Sequence, residues 1–359
     1  MTTTTTVPPT LDAWRALFAA MAQLKETAPW QWMHDLDCFA ICNPEQPDET
    51  VYCTVLGRMG EHLGISAFVG PQGFASYLGM NDCGPELPDS FMTELDCFML
   101  SFDDRAGVEP CQKPIFKQLG LTYRGRNAWP VIRRFRPGMP ATAPTAADLR
   151  FSMHIIEQSL DVAHRFRANA TLLPSLESGQ LLTRVPCLHA GQISWQDSVR
   201  ATPAPPAPPV VAPVPPPPAL LDQVRQACAR TLAVWECDCR IMHVVIGNAN
   251  EPGCFPQLLA CVQHATGHIC GFELLEPSAD WHAVPAAFLK QCLHAGTVPE
   301  ALLLCNPTLA CVLAPTLAAL HIAVQHAGQL PLYDVMFADM QTFLQQGPPR
   351  AAGPSRRAR

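Results

Sequence analysis

Between Pro203 and Pro218 ten of sixteen residues are proline and the rest are Ala and Val. So few backbone N–H donors remain that neither a helix interior nor a sheet ladder can run through the stretch. An extended polyproline II segment rises about 3.1 Å per residue, so it spans up to roughly 50 Å. The run reads as a linker over 201–219 more readily than as a ligand for a partner's aromatic groove. A chain of 359 residues is then expected as two modules, 11–200 and 220–346, with disordered ends at 1–10 and 347–359. The second end carries Arg350, Arg356, Arg357 and Arg359 among Gly, Pro and Ala.

Apolar residues make up 48% of the chain and charged ones 15%, which fits folded modules and not a disordered polymer. A net charge of -7 argues against a general nucleic-acid binder, which needs a basic field. Met1–Thr10 is Thr-rich without the apolar core of a secretory signal. Sixteen cysteines divide as seven before the proline run and nine after it, inside apolar stretches. Odd counts on both sides fit reduced, buried thiols and a cytoplasmic setting. Residues 301–333 carry no Asp, Glu, Lys or Arg, but Asn306-Pro307-Thr308, Pro315, His321, Gln325 and His326 interrupt them, so no membrane association is expected.

The first module opens on a helix with Thr10 as its cap and Leu11, Trp14, Leu17, Phe18, Met21 and Leu24 at helical spacing. Strand runs follow at 36–42, 51–56, 64–69 and 95–102, short helices at 70–78 and 114–119, and a loop at 81–90. A long helix begins at Thr145-x-x-Asp148, which has the pattern of a capping box. The fold expected is α+β with an antiparallel sheet. For the second module the spacing predicts a helix over 220–234, strands at 241–246, 257–263 and 268–275, a helix over 284–294, and a strand at 301–305. A helix ending near 320, a strand at 321–325 and a helix over 332–344 complete it. This is a three-layer-like α/β module with a mixed sheet.

That order, β-β-β-α-β-α-β-α, resembles the ribonuclease H-like fold over roughly 233–346. The resemblance implies metal-holding carboxylates on the first strand, at the end of the fourth and on a nearby helix. Asp238 matches the first, Asp334 and Asp339 the last, whereas Asn306 stands where the fourth-strand acid belongs. A neutral amide supplies no charge to a second hard cation, which damages a nuclease reading at a central position.

Cys237-Asp238-Cys239 with His243, and Cys38-x-x-x-Cys42, lack the paired knuckles of zinc sites and read as packed thiols, so neither a metal nor another cofactor is expected. No nucleophile elbow, P-loop, dinucleotide fingerprint or His-Glu-x-x-His occurs. The most unusual segment runs from Tyr123 to Gly138, with five arginines inside thirteen residues. Arg124, Arg126, Trp129, Arg133, Arg134 and Arg136 are the candidate site for an anion or a partner, because guanidinium forks beside aromatic rings bind phosphate and carboxylate. The competing reading pairs these arginines with Asp82, Glu86, Asp103, Asp104 or Glu109.

Trp30-Gln31-Trp32-Met33, Val55-Leu56-Gly57-Arg58-Met59-Gly60-Glu61, Phe68-Val69-Gly70-Pro71-Gln72-Gly73 and Phe135-Arg136-Pro137-Gly138-Met139-Pro140 resemble a bacterial two-domain family of unknown function. Val284-Pro285, Gly296-x-x-Pro299 and Leu320-His321-Ile322-Ala323 are similar to its second module, also of unknown function. The resemblance implies the domain split and a bacterial cytoplasmic setting, and brings no catalytic residues. The chain is expected to work by binding or regulation, through another protein or an anionic ligand, and not by catalysis. The alternative is a degenerate or unorthodox metal-dependent nuclease.

Overall fold

A computed structural model describes residues 7–60, 62–82, 93–206, 211–247, 253–276 and 281–346. Residues 1–6, most of the 81–90 loop including Glu86, part of the proline run and the arginine-bearing end lie outside the described residues. The chain forms two compact units, one of Met1–Pro137 and Ala141–Ala207, the other of Gly138–Pro140 and Pro208–Arg359. Among the described residues no helix is long and apolar enough to cross a membrane.

In the first unit helix α1, Leu11–Thr27, starts where the Thr10 hydroxyl accepts the Ala13 N–H, and it buries Trp14, Leu17, Phe18, Met21 and Leu24. It ends at Ala28, left-handed at φ 50°, just ahead of Pro29. Strands β1 (Phe39–Cys42), β2 (Thr50–Leu56), β3 (Leu63–Val69), β4 (Cys97–Asp103) and β5 (Trp129–Arg136) follow. With β6 (Met139–Thr142), β7 (Gln180–His189) and β8 (Gln192–Ala201) they form one sheet in the order β6-β5-β4-β3-β2-β1-β7-β8. Neighbours from β1 to β5 pair antiparallel, as do β7 and β8, but β1 and β7 run parallel. The sheet expected to be antiparallel is therefore mixed, because the closing hairpin returns to the first strand and not to the last.

Helices α2 (Gly70–Asp82), α3 (Lys113–Leu119) and α4 (Ala146–Ala168) complete the unit. Thr145 and Asp148 cap α4 reciprocally. The sheet is buried on both faces: α1 and α4 share one core with Ile41, Val55, Ile65 and Leu100, while Phe74 and Tyr77 of α2 join a smaller one with Tyr52 and Phe68. Gly64 lets β3 and β4 approach, since a Cβ there would sit 2.8 Å from Ser101 Cα and closer still to the Leu100 carbonyl.

The second unit holds α5 (Pro218–Ala227), β9 (Ala229–Arg230), β10 (Val234–Ile241), β11 (Gln257–Gln263), β12 (Ile269–Leu275) and α6 (Val284–Ala295). Next come β13 (Thr297–Val298), β14 (Ala301–Leu304), α7 (Pro307–Ala319), β15 (Ala323–His326) and α8 (Pro331–Gln346). Its five-stranded sheet has the order β12-β11-β10-β14-β15, with β11 antiparallel to both neighbours and β10, β14 and β15 parallel. β9 and β13 form a separate parallel pair. The strand expected at 241–246 lies earlier, over Val234–Ile241, and shortens the preceding helix to Pro218–Ala227. One face of the sheet packs α5, α6 and α7; the other takes Leu330, Tyr333 and Met336 at and beyond the start of α8.

Candidate functional site

The arginine-rich segment is not one surface. Its second half is β5, and the pleat sends neighbouring arginines to opposite faces. Arg133 Nη2 lies 2.7 Å from Asp103 Oδ2 and Arg133 Nε 2.5 Å from Glu109 Oε1. Arg134, only 6% exposed, pairs with Asp96 at 2.5 Å and lies over the Phe98 ring, 4.6 Å from its centre. Arg136 reaches both oxygens of Asp148, at 3.2 and 3.1 Å, and so ties the α4 cap to the sheet. Of the acids foreseen as partners, Asp103 and Glu109 serve Arg133, whereas Asp96 and Asp148 were not foreseen.

Arg124 and Arg126 differ: both are exposed in the turn before β5 and form no ion pair among the described residues. That turn has a fixed shape. Gly125 takes φ 102° and Asn127 φ 48°; the Asn127 N–H donates to Asp104 Oδ1 at 2.8 Å, and its carbonyl accepts from Lys25 Nζ at 2.7 Å. Glycine enters this region without a Cβ penalty, and Asn is among the side chains that tolerate it best. Lys25, from the last turn of α1, is 102 positions away in the chain.

Between α1, β4 and this turn lies a cavity of about 350 Å³ lined by Phe18, Lys25, Glu26, Phe102, Tyr123 and Arg124, with Ala22, Ala128 and Pro130 filling its walls. The aromatic lining is held from beneath. Phe116 stacks on Phe18 at 4.5 Å and meets Tyr123 and Trp129 edge-on at 5.9 and 5.2 Å, and Trp129 meets Tyr123 at 5.4 Å. Trp129, a candidate contact by sequence, packs against Tyr123 and is not among the residues that line the cavity. Lys25 Nζ lies 5.2 Å from the centre of the Phe102 ring, and burial holds its ammonium below the ordinary lysine pKa. Burial pushes the Tyr123 phenol up, so it stays protonated and can donate. The lining thus combines the Lys25 ammonium, the Arg124 guanidinium and the Glu26 carboxylate with three aromatic side chains, and its net positive charge beside apolar rings suits a flat ligand bearing a negative group.

A wider hollow of about 560 Å³ brings His34, Arg58 and His62 together with Leu36 and Met59, but it is built from turns without an aromatic floor.

The acids of the second unit also have definite positions. Glu236, Asp238 and Arg240 share one face of β10, while Trp235, Cys237 and Cys239 point into the core on the other. Asp238 is 4% exposed; its Oδ2 accepts from Arg240 Nε at 2.7 Å, and Arg240 Nη1 reaches Asp334 Oδ1 at 2.7 Å. The same guanidinium lies over the rings of Tyr333 and Phe337. Glu236, fully buried, accepts the Leu332 and Tyr333 N–H groups at 3.0 and 2.8 Å and contacts His264 Nδ1 at 2.7 Å. Asp339 is exposed on α8. Asn306 is the cap of α7, its Oδ1 accepting from Thr308 and Leu309. Among the described residues no group of three or more His, Cys, Asp or Glu is placed to hold a metal ion. The described cysteines are unpaired, and burial pushes the Cys97 and Cys239 thiols up to about 12.

Residues 14–184 match a domain of unknown function, DUF7309, and residues 220–341 match a second, DUF6930. No curated protein and no solved structure matches the chain.

Proposed function

We propose, for a chain that belongs to the family in which these two domains of unknown function follow one another, that the first module is a receptor for a small ligand. The ligand has a flat apolar body and one anionic group, and the protein works by binding it. The observation that carries this is the meeting of Lys25 and Arg124 on a cavity floored by Phe18, Phe102 and Tyr123. A volume of about 350 Å³ is at the lower end of ordinary small-molecule sites. Arg126, exposed two residues beyond Arg124, adds positive charge to the same turn without lining the cavity. Arg133, Arg134 and Arg136 tie down β5, the strand that follows the turn. The same reading keeps the modules at 11–200 and 220–346 and sets the protein in a bacterial cytoplasm, supported by the unpaired cysteines.

The test is a thermal-shift and calorimetric panel of phenyl phosphate, benzoate, benzylamine and inorganic phosphate. The two aromatic anions should stabilise the protein, the amine should not, and phosphate alone should bind at least tenfold more weakly than phenyl phosphate. Arg124→Ala should weaken the aromatic anions about tenfold, the loss of one charge-assisted contact, without lowering the melting temperature of the free protein. An unchanged affinity in Arg124→Ala contradicts the assignment.

For the second module, a ribonuclease H-like scaffold is supported by the order β12-β11-β10-β14-β15 with β11 reversed. A nuclease on that scaffold is not what its residues favour. Arg240 already spans Asp238 and Asp334, and Asn306 is used as a cap.

A further inference from the structure

Cysteines gather in the core of the second unit, and two of them stand in a particular relation. In the antiparallel pairing of β10 with β11, Cys237 lies directly opposite Cys261. Both side chains belong to the core shared with α5, α6 and α7, both are fully buried, and they lie within hydrogen-bonding contact. Residues opposite one another in such a pair have Cα atoms about 4.5–5.5 Å apart, whereas a disulfide accepts roughly 4.4–6.8 Å. The sheet thus holds the two sulfurs where a bond needs no movement of the backbone. Among the described strand pairings no other two cysteines face each other. Cys53 and Cys97 of the first unit are as deeply buried, but Cys53 opposes Phe39 and Ala67, and Cys97 opposes Phe68 and Phe135. Cys270 and Cys292 border the pair. Cys270 is the extra residue where the register of β12, the edge strand, slips past Cys261 and Val262.

We propose that Cys237 and Cys261 are an oxidation site, forming a cross-strand disulfide when the protein meets a hydroperoxide. The peroxide O–O bond breaks as one sulfur gains an oxygen, giving a sulfenic acid and water. The facing sulfur then displaces that oxygen: the S–S bond forms, the S–O bond breaks and a second water leaves. The two thiols lose two electrons in all, the peroxide is reduced, and both thiol hydrogens end in water. Burial pushes the Cys261 thiol well above its ordinary pKa, so thiolate is scarce at neutral pH and the pair rests reduced. Both sulfurs lie in the packed core, so the oxidant class that suits them is a small uncharged peroxide and not a bulky disulfide. The link closes the chain between 237 and 261 and fastens the strand whose other face carries Glu236, Asp238 and Arg240. This proposal concerns the second module and does not depend on the ligand cavity of the first.

The test treats the native full chain with hydrogen peroxide, quenches in acid, alkylates in denaturant, digests, and maps the peptides by mass spectrometry. The peptide pair joined through Cys237 and Cys261 should exceed any other cysteine pair at least tenfold, and dithiothreitol applied in denaturant should restore both thiols. The oxidised chain should melt several degrees higher than the reduced one, and Cys261→Ala should show no such rise after the same treatment. If Cys261→Ala lacks a native circular dichroism spectrum, Cys237→Ala takes its place, and if both do, the peptide map of the wild type decides. Recovery of Cys237 and Cys261 as alkylated thiols while the exposed Cys111 is oxidised overturns the proposal. So does linkage of either mainly to Cys270 or Cys292, or a linked chain that melts no higher.

Discussion

Arg240 reaches Asp238 on its own strand and Asp334 on α8, both at 2.7 Å, and covers two aromatic rings with the same group. Removing it leaves a carboxylate that is 4% exposed without its counter-charge. Arg240→Met should therefore cost about 3–5 kcal/mol in urea unfolding, the loss typical of breaking a buried pair from one side. Asp334→Asn should cost under about 1 kcal/mol, since the Asp334 side chain is 45% exposed and solvent screens the pair. A small loss in Arg240→Met would mean that water reaches Asp238. The sequence marked Asp238 and Asp334 as facing acids but not the arginine between them: Arg240 lies only two positions from Asp238 and makes its second contact 94 residues away. For the same reason Arg124 was legible in the first module, whereas Lys25, Phe18 and Phe102, which complete its cavity, were not.

At the scale of elements, local chemistry was the readable part. Thr10 and Thr145 cap the helices they were expected to cap, and the β1–β4 meander follows from alternating apolar runs broken by turns. Thr145→Ala should lower stability by about 1 kcal/mol in chemical denaturation, since it removes one half of a reciprocal cap; no measurable loss would mean that Asp148 holds the turn alone through Arg136. The bounds of β10 were misplaced toward 241–246 because Glu236, Asp238 and Arg240 interrupt its apolar residues, although that alternation is itself the period of a pleated strand. The β7–β8 hairpin escaped for a different reason. Its turn places Ala190 at φ 50° and Gly191 at φ 80°, and alanine gives little warning of such a turn, while most of β8 is exposed and so lacks an apolar stripe.

Over the whole molecule, each unit closes its own core, and the two principal clusters share no residue. The parallel pairing of β1 with β7 joins positions 40 and 183, and nothing in local periodicity specifies a partner so distant. The proline run accounts for the division, but part of it is built into the second unit through Val211 and Val214. The claim on which the functional reading rests is that the first unit binds an aromatic anion between α1, β4 and the Tyr123–Ala128 turn. The most direct measurement is the anomalous bromine signal from crystals soaked in 4-bromophenyl phosphate. The expected result is a bromine peak against Phe18, Phe102 and Tyr123, with the phosphate facing Lys25 and Arg124. A bromine peak elsewhere on the chain, or none at saturating concentration, contradicts it.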